Sequence, residues 1–276
     1  MSSILNNLSA IGASRQLTIT GNNLQSTIER LTTGKRINKA SDDAAGLAIA
    51  NKLGADIKIA GQAQRNTNDG VSYLQVADGA LEEVTSLLTR ASQLAQQAQT
   101  GTISASNRAN LDAEFQNIVS TLINIGTNTN FNGQPIFNST GAATPVTVQS
   151  GDYGTITVTI AAVTTSPTTA LGLTTSTSNL LTTGAASTVA TTLANALQSV
   201  STIRASIGAG EQELNATSSI LGIQVQNFTA AMSQIQDANI ADEVVALTKF
   251  QILNQSGTSA LSKSNQTAQQ VLALLQ

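Results

Sequence analysis

Asp42 and Asp43 stand together just after Lys35, Arg36 and Lys39, and they are the nearest thing in this chain to a chemical constellation. Paired carboxylates can divide general acid and base work between them. These two, however, follow Ser41, a residue suited to cap a helix, and precede a long helical pattern that opens at Ala44. Two carboxylates in a first helical turn complement the positive end of the helix dipole. The local reading is therefore a helix start, and its functional form is a set of ion pairs among Lys35, Arg36, Asp42 and Asp43, within one chain or between copies.

Other patterns fail on spacing. A phosphate loop needs a glycine five residues before that of Gly34-Lys35 and Ser or Thr after the lysine, and Glu29 and Arg36 stand there instead. Gly208-Ala-Gly210 lacks the third glycine and the preceding strand of a dinucleotide fingerprint. Asn138-Ser-Thr140 and Asn215-Ala-Thr217 fit the N-glycosylation triplet, as chance predicts in a chain rich in Asn and Thr. O-linked sugar on the Ser/Thr-rich middle is a second modification reading.

Composition removes most remaining chemistry. The chain has no His, no Cys and no Trp, so imidazole and thiolate nucleophiles and ligands are absent. The expectation is no catalytic residue, no metal and no cofactor. A net charge of −3 gives no footprint for nucleic acid. No apolar run reaches about 18 residues, so no membrane insertion is expected. No basic-then-apolar leader opens the chain, which suggests a cytoplasmic protein or one exported without a cleaved signal.

The elements that hold these residues are helices. Ile4, Leu8, Ile11, Leu17, Leu24, Ile28 and Leu31 lie on a seam of three- and four-residue steps once Ser14 and Gly21 count as small members. Val244, Leu247, Phe250, Leu253, Gly257, Leu261, Ala268, Val271 or Leu272, and Leu275 repeat the idea at the other end. Residues 1–28 carry one charge, Arg15, and residues 250–276 carry one, Lys263. Exposed helices normally dress their outer faces with Lys and Glu, whereas these use Ser, Thr, Asn and Gln. The two termini are expected to pair, and their uncharged outer faces to meet further copies of the chain.

Between them, Leu74, Ala77, Leu81, Val84, Leu88, Ala91, Ala95 and Ala98 form a strict heptad seam within a helix over 44–98, roughly 80 Å long. Gly101 breaks it. Ser104 or Ser106 can cap a second helix over 104–126, striped by Leu111, Phe115, Ile118, Leu122 and Ile125 and ended by Gly126. A third helix is readable over 190–236, with a bend or local weakness expected at Gly208 and Gly210. In the insert 131–189, Val146 and Val148, then Ile156, Val158 and Ile160, alternate with Thr and other residues around a Ser150-Gly151-Asp152 turn, which reads as one or two hairpins rather than a disordered linker. The expected fold is mainly α: a long antiparallel helical rod, residues 43–236, with a β-hairpin insert, and a terminal coiled-coil pair from residues 1–42 and 237–276.

From Thr33 to Ala50 the chain reads Thr-Gly-Lys-Arg-Ile-Asn-Lys-Ala-Ser-Asp-Asp-Ala-Ala-Gly-Leu-Ala-Ile-Ala, which closely resembles the signature of bacterial flagellin. Asn66 to Gly70, with the alanine-rich heptads after it, and Gln251 to Ala260, running on to Gln276, agree. The resemblance covers roughly 1–137 and 190–276, so the chain looks like a short flagellin holding only the two filament-core domains. Lys35 stands where Leu is usual, and Met232 and Gln234 replace a usual Arg pair.

The resemblance implies a structural subunit of the flagellar filament, self-assembling into a helical tube and exported unfolded by a type III apparatus. It places the paired terminal helices along the central channel. It also implies partners: further copies of itself, the filament cap, junction proteins and an export chaperone. Arg90, Leu94 and Glu114 match in type the positions that flagellins recognised by Toll-like receptor 5 carry on one exposed surface, with Gln93 where Glu is common. Three rival readings fit less well: a hook-filament junction protein, which the signature at 33–50 disfavours; a flagellin with an enzymatic insert, which the missing His defeats; and a coiled-coil adaptor, which needs charged flanks the first helix lacks.

Overall fold

The computed structural model describes residues 7–137, 144–149, 155–160, 173 and 178–273. The chain divides into two compact units, Lys58–Val225 and Met1–Ile57 with Gln226–Gln276. Five long helices carry most of the described residues: α1 (Leu8–Thr33), α2 (Ala44–Ala98), α3 (Ala105–Asn128), α4 (Thr183–Gln236) and α5 (Ile240–Ala273). The strands are short: β1 (Asn130–Phe131), β2 (Gln134–Pro135), β3 (Thr144–Gln149) and β4 (Thr155–Ile160).

In the Lys58–Val225 unit, α2 meets α3 and α4 in antiparallel sense, as Arg90 with Glu114 across the short connection from Ala98 to Ala105, and Asp78 with Arg204 together with Asn68 and Ser218, require. The heptad seam explains why. Leu74, Ala77, Leu81, Val84, Leu88, Ala91, Ala95 and Ala98 are all buried, alongside Phe115, Ile118 and Leu122 of α3 and Leu193, Val200, Ile203, Ile207 and Leu214 of α4. Helix α3 starts one residue after its cap, Ser104, whose hydroxyl accepts from the Asn107 amide at 3.2 Å. It runs through the buried Gly126 to Asn128, two residues past the expected end.

Helix α4 starts at Thr183, seven residues before the expected 190. Thr182 caps it, accepting from the amide of Ala185 at 3.1 Å. A threonine cap inside a threonine-rich stretch carries little contrast, which is why the sequence hides this start. The helix also passes unbroken through Gly208 and Gly210, the latter buried. Packing there outweighs a glycine cost of about 1 kcal/mol.

Strands β1 and β2 close around Asn132 and Gly133, both at positive φ, the two-residue turn that suits strand twist. Phe131 beside that turn stacks edge-on against Tyr73 of α2, ring centres 5.7 Å apart. The alternating pair β3 and β4 is antiparallel, with Val146 opposite Val158 and Val148 opposite Ile156; the Ser150-Gly151-Asp152 turn lies outside the described residues. Val148 seats the hairpin on α2 at Gly70, where a β-carbon would lie 2.7 Å from a Val148 methyl and 3.2 Å from Leu214. Glycine is needed there for close approach rather than for backbone freedom.

In the other unit, α1 and α5 lie antiparallel, with Asn7 against Ser264 at one end and Arg30 against Glu243 at the other. Met232, one of the two departures from the Arg pair, sits half-buried over Gly54, and Gln234 is exposed.

Candidate functional site

Among the buried and half-buried positions of α1, Ala10, Ala13, Leu17, Thr20, Leu24, Thr27 and Leu31 form a strict heptad row of three- and four-residue steps. On α5 the half-buried Glu243, Leu247, Phe250, Asn254, Gly257, Leu261 and Ser264 are spaced the same way. Leu17 packs so close to Gly257 that a β-carbon there would stand 3.2 Å from its Cδ1. At the far end the Asn7 amide donates to the Ser264 carbonyl at 3.1 Å. The seam thus mixes leucines with small and polar residues, and Thr20 and Thr27 are buried within it.

Large aliphatic residues lie outside it. Leu8 is 80% exposed and Ile11 58%, and Ile19 and Ile28 are also exposed; on α5 so are Ile240, Val244, Val245, Ile252 and Leu253. The expected row therefore splits. Leu17, Leu24, Leu31 and Leu261 serve the internal seam, while Leu8, Ile11, Ile28 and Leu253 are exposed outside it, uncovered by any described residue. A groove of about 500 Å³ beside it is lined by Ala10, Ile11, Ser14, Arg15, Thr18 and Leu261. Val271 and Leu272 fall in the last turn of α5, with their side chains outside the description; Ile4 and Leu275 lie outside the described residues. Sequence reasoning missed Ile19 and Ile252, because a seam search selects one row and discards apolar residues off it.

The connector after α1 is fixed by backbone. Gly34, in the left-handed region at φ 70°, ends α1, and its carbonyl accepts from Ala238 at 2.9 Å while the Arg36 amide donates to Gln236 at 2.7 Å. Lys35 and Asp237 form the bridge between the two passes. The Arg36 guanidinium donates to the Ile235 carbonyl at 2.9 Å, and the next residue, Ile37, is buried.

Asp42 accepts from the amides of Lys39 and Asn38 at 3.0 and 3.1 Å, and these backbone bonds hold its carboxyl below the usual carboxylate range. Asp43, not Ser41, caps α2: its carboxylate accepts from the Gly46 amide at 2.8 Å and its carbonyl from Leu47. Gly46 leaves room for that carboxylate, since a β-carbon would stand 2.5 Å from Asp43 Oδ2 and 2.8 Å from Ile37 Cδ1. Among the described residues the connector's ion pairs are Lys39 with Glu29 at 2.6 Å and Arg30 with Glu243 at 3.6 Å. Lys35, Arg36, Asp42 and Asp43 make backbone contacts instead. The bond to Glu29 holds the Lys39 ammonium above its ordinary value.

On the helical unit, Arg90 grips one oxygen of Glu114 through two nitrogens at 2.8 and 2.6 Å, both side chains about half-exposed. Leu94 does not share that surface. It is 1% exposed, buried in the heptad core, and exposed Gln93 stands beside it.

Comparison with known proteins identifies the family. Residues 4–142 match the model of the bacterial flagellin N-terminal helical region, and residues 190–275 that of the C-terminal helical region. The chain is similar to a flagellin of Halalkalibacterium halodurans, 37% identical over 99% of both chains. It is also similar to flagellin FlaB2 of Treponema pallidum, 32% identical over 99% of both, and to a flagellin of Listeria monocytogenes, 34% identical over 90% of both. The crystal structure of Bacillus cereus flagellin aligns with 61% of this chain and 94% of that one, at 31% identity and a TM-score of 0.48. On the family models at both ends and the near-complete coverage of these relatives, the chain belongs to the bacterial flagellin family.

Proposed function

We propose that this protein is the structural subunit of a bacterial flagellar filament, self-assembling into a helical homopolymer that serves swimming, and that it has no catalytic role. The observation that carries the reading is the set of large aliphatic residues exposed on α1 and α5, Leu8, Ile11, Ile28 and Leu253 among them, left uncovered by the seam between the two helices. Burying such residues stabilises association by about 25 cal/mol per Å² of apolar area, and a second copy is the natural cover. Residues 1–42 with 237–276 form the inner core of the polymer in this reading, and 43–236 are its rod domain. Nothing in the comparisons favours a hook-filament junction protein.

The reading extends to export without a cleaved signal, an extracellular filament, and contacts with a cap, junction proteins and an export chaperone. Lys35, Arg36, Asp42 and Asp43 have exposed or half-exposed side chains, and ion pairs from them across subunits are part of the same proposal. Recognition by Toll-like receptor 5 would rest on Arg90 and Glu114, with Leu94 supporting the surface from beneath.

Deleting residues 262–276 should abolish polymerisation of the purified protein while its monomer stays helical by circular dichroism. Filaments of normal length from that truncation, seen by electron microscopy after salting out, would overturn the reading.

A further inference from the structure

Charge is scarce in this chain, and on the helical unit Lys58 and Arg65, with Asp69 beside them, stand apart from a more acidic stretch of α2. Lys58 and Arg65 lie two turns apart on one exposed face of α2. Arg65 donates to Gln62 at 2.6 Å, not to Asp69 one turn on, and neither cation joins any ion pair among the described residues. About a third of a turn round the helix, at about 100° per residue, come Asp78 and Glu82. There a groove of about 440 Å³ opens between α2 and α4, lined by Asp78, Ser201, Arg204, Ile207, Gly208 and Glu211. Arg204 binds Asp78 with two bonds at 2.7 and 3.0 Å and feels Glu82 as well. Arg204 offsets Asp78, and Glu211 in the lining and Glu82 beside the groove are left over, about two negative charges.

We propose, on the reading that the chain polymerises, that the Lys58–Arg65 face of one copy docks on the Asp78–Glu82–Glu211 groove of a second, parallel copy. The two faces point different ways, so one chain cannot join them to itself, and joining them between copies makes a heterologous contact that continues as a helix instead of closing. The centres of the two patches lie about 15 to 18 residues apart along α2, so neighbouring copies are offset by roughly 25 Å along the helix axis. Opposite charges at a contact rim act mainly on association rate and register, and they weaken with salt.

The test is charge reversal read by polymer growth on wild-type seeds. Lys58→Glu with Arg65→Glu should slow elongation about tenfold at low salt, where steering is strongest, and much less near 1 M, where the Debye length is about 3 Å. Adding Glu82→Lys and Glu211→Lys to that chain should restore growth of its own polymer. Monomer melting checks the fold, since all four side chains lie at or near the surface. Because the chain has no cysteine, seeds co-assembled from a Lys58→Cys chain and a Glu211→Cys chain should yield disulfide-linked dimers on oxidation, and neither chain alone should. Unchanged salt dependence in the first variant, no rescue by the second pair, or dimers from the Lys58→Cys chain alone would overturn the proposal. Wild-type polymer forming normally in those experiments keeps the functional reading separate from its failure.

Discussion

Asp43 shows how one side chain sets the start of a helix of 55 residues. Its carboxylate answers the Gly46 amide, so Asp43→Ala should lower the stability of the monomer by about 1 kcal/mol, the usual worth of such a cap. Asp43→Asn keeps the accepting oxygen and should recover most of it in a urea titration. Asp42 makes a different prediction. Its folded-state carboxyl lies below the usual range, so the stability it contributes is present above the unfolded pKa of about 3.9 and is lost as pH falls through the lower folded value. The amide protons of Asn38 and Lys39 should therefore titrate together, with a midpoint below about 3.9, by NMR. A shared midpoint at or above the ordinary value would mean that those hydrogen bonds do not hold in solution.

At the scale of elements, the heptad row of α2 governs the helical unit. Leu88 is wholly buried among α2, α3 and α4 side chains, so Leu88→Ala should cost about 2 to 5 kcal/mol, measured by chemical denaturation of the monomer. That row was fully legible in sequence, because its strict spacing has one helical solution. The start of α4 at Thr183 was not, since Thr182 is one threonine among many. The turn at Asn132-Gly133 carried a signal that composition alone masks. At the termini the apolar residues were legible and their division was not. Leu17 and Leu253 look alike in a hydrophobic pattern, yet one faces α5 and the other solvent, because Gly257 and Asn254 supply the small and polar positions that define the seam. Likewise Leu94 reads as a surface residue only by analogy with relatives. Its place between Ala91 and Ala98 on the buried side of α2 decides otherwise.

For the whole molecule, the consequence of leaving Leu8, Ile11, Val245 and Ile252 uncovered is thermodynamic. A free chain cannot hide this surface by rearranging its own seam without breaking the Asn7 and Ser264 contact at one end or Arg30 and Glu243 at the other. Its chemical potential in solution is raised accordingly, and polymer forms when monomer exceeds a critical concentration. Near room temperature the driving force for apolar burial is entropic, with a negative heat-capacity change, and it weakens on cooling. The critical concentration should therefore rise as solutions are chilled towards 0 °C, readable as monomer left in the supernatant after sedimentation. Replacing Leu8 and Ile11 with Ser should flatten that temperature dependence as well as raise the threshold. A critical concentration that stays constant or falls on cooling would assign assembly to polar contacts and leave the exposed aliphatic residues without their role.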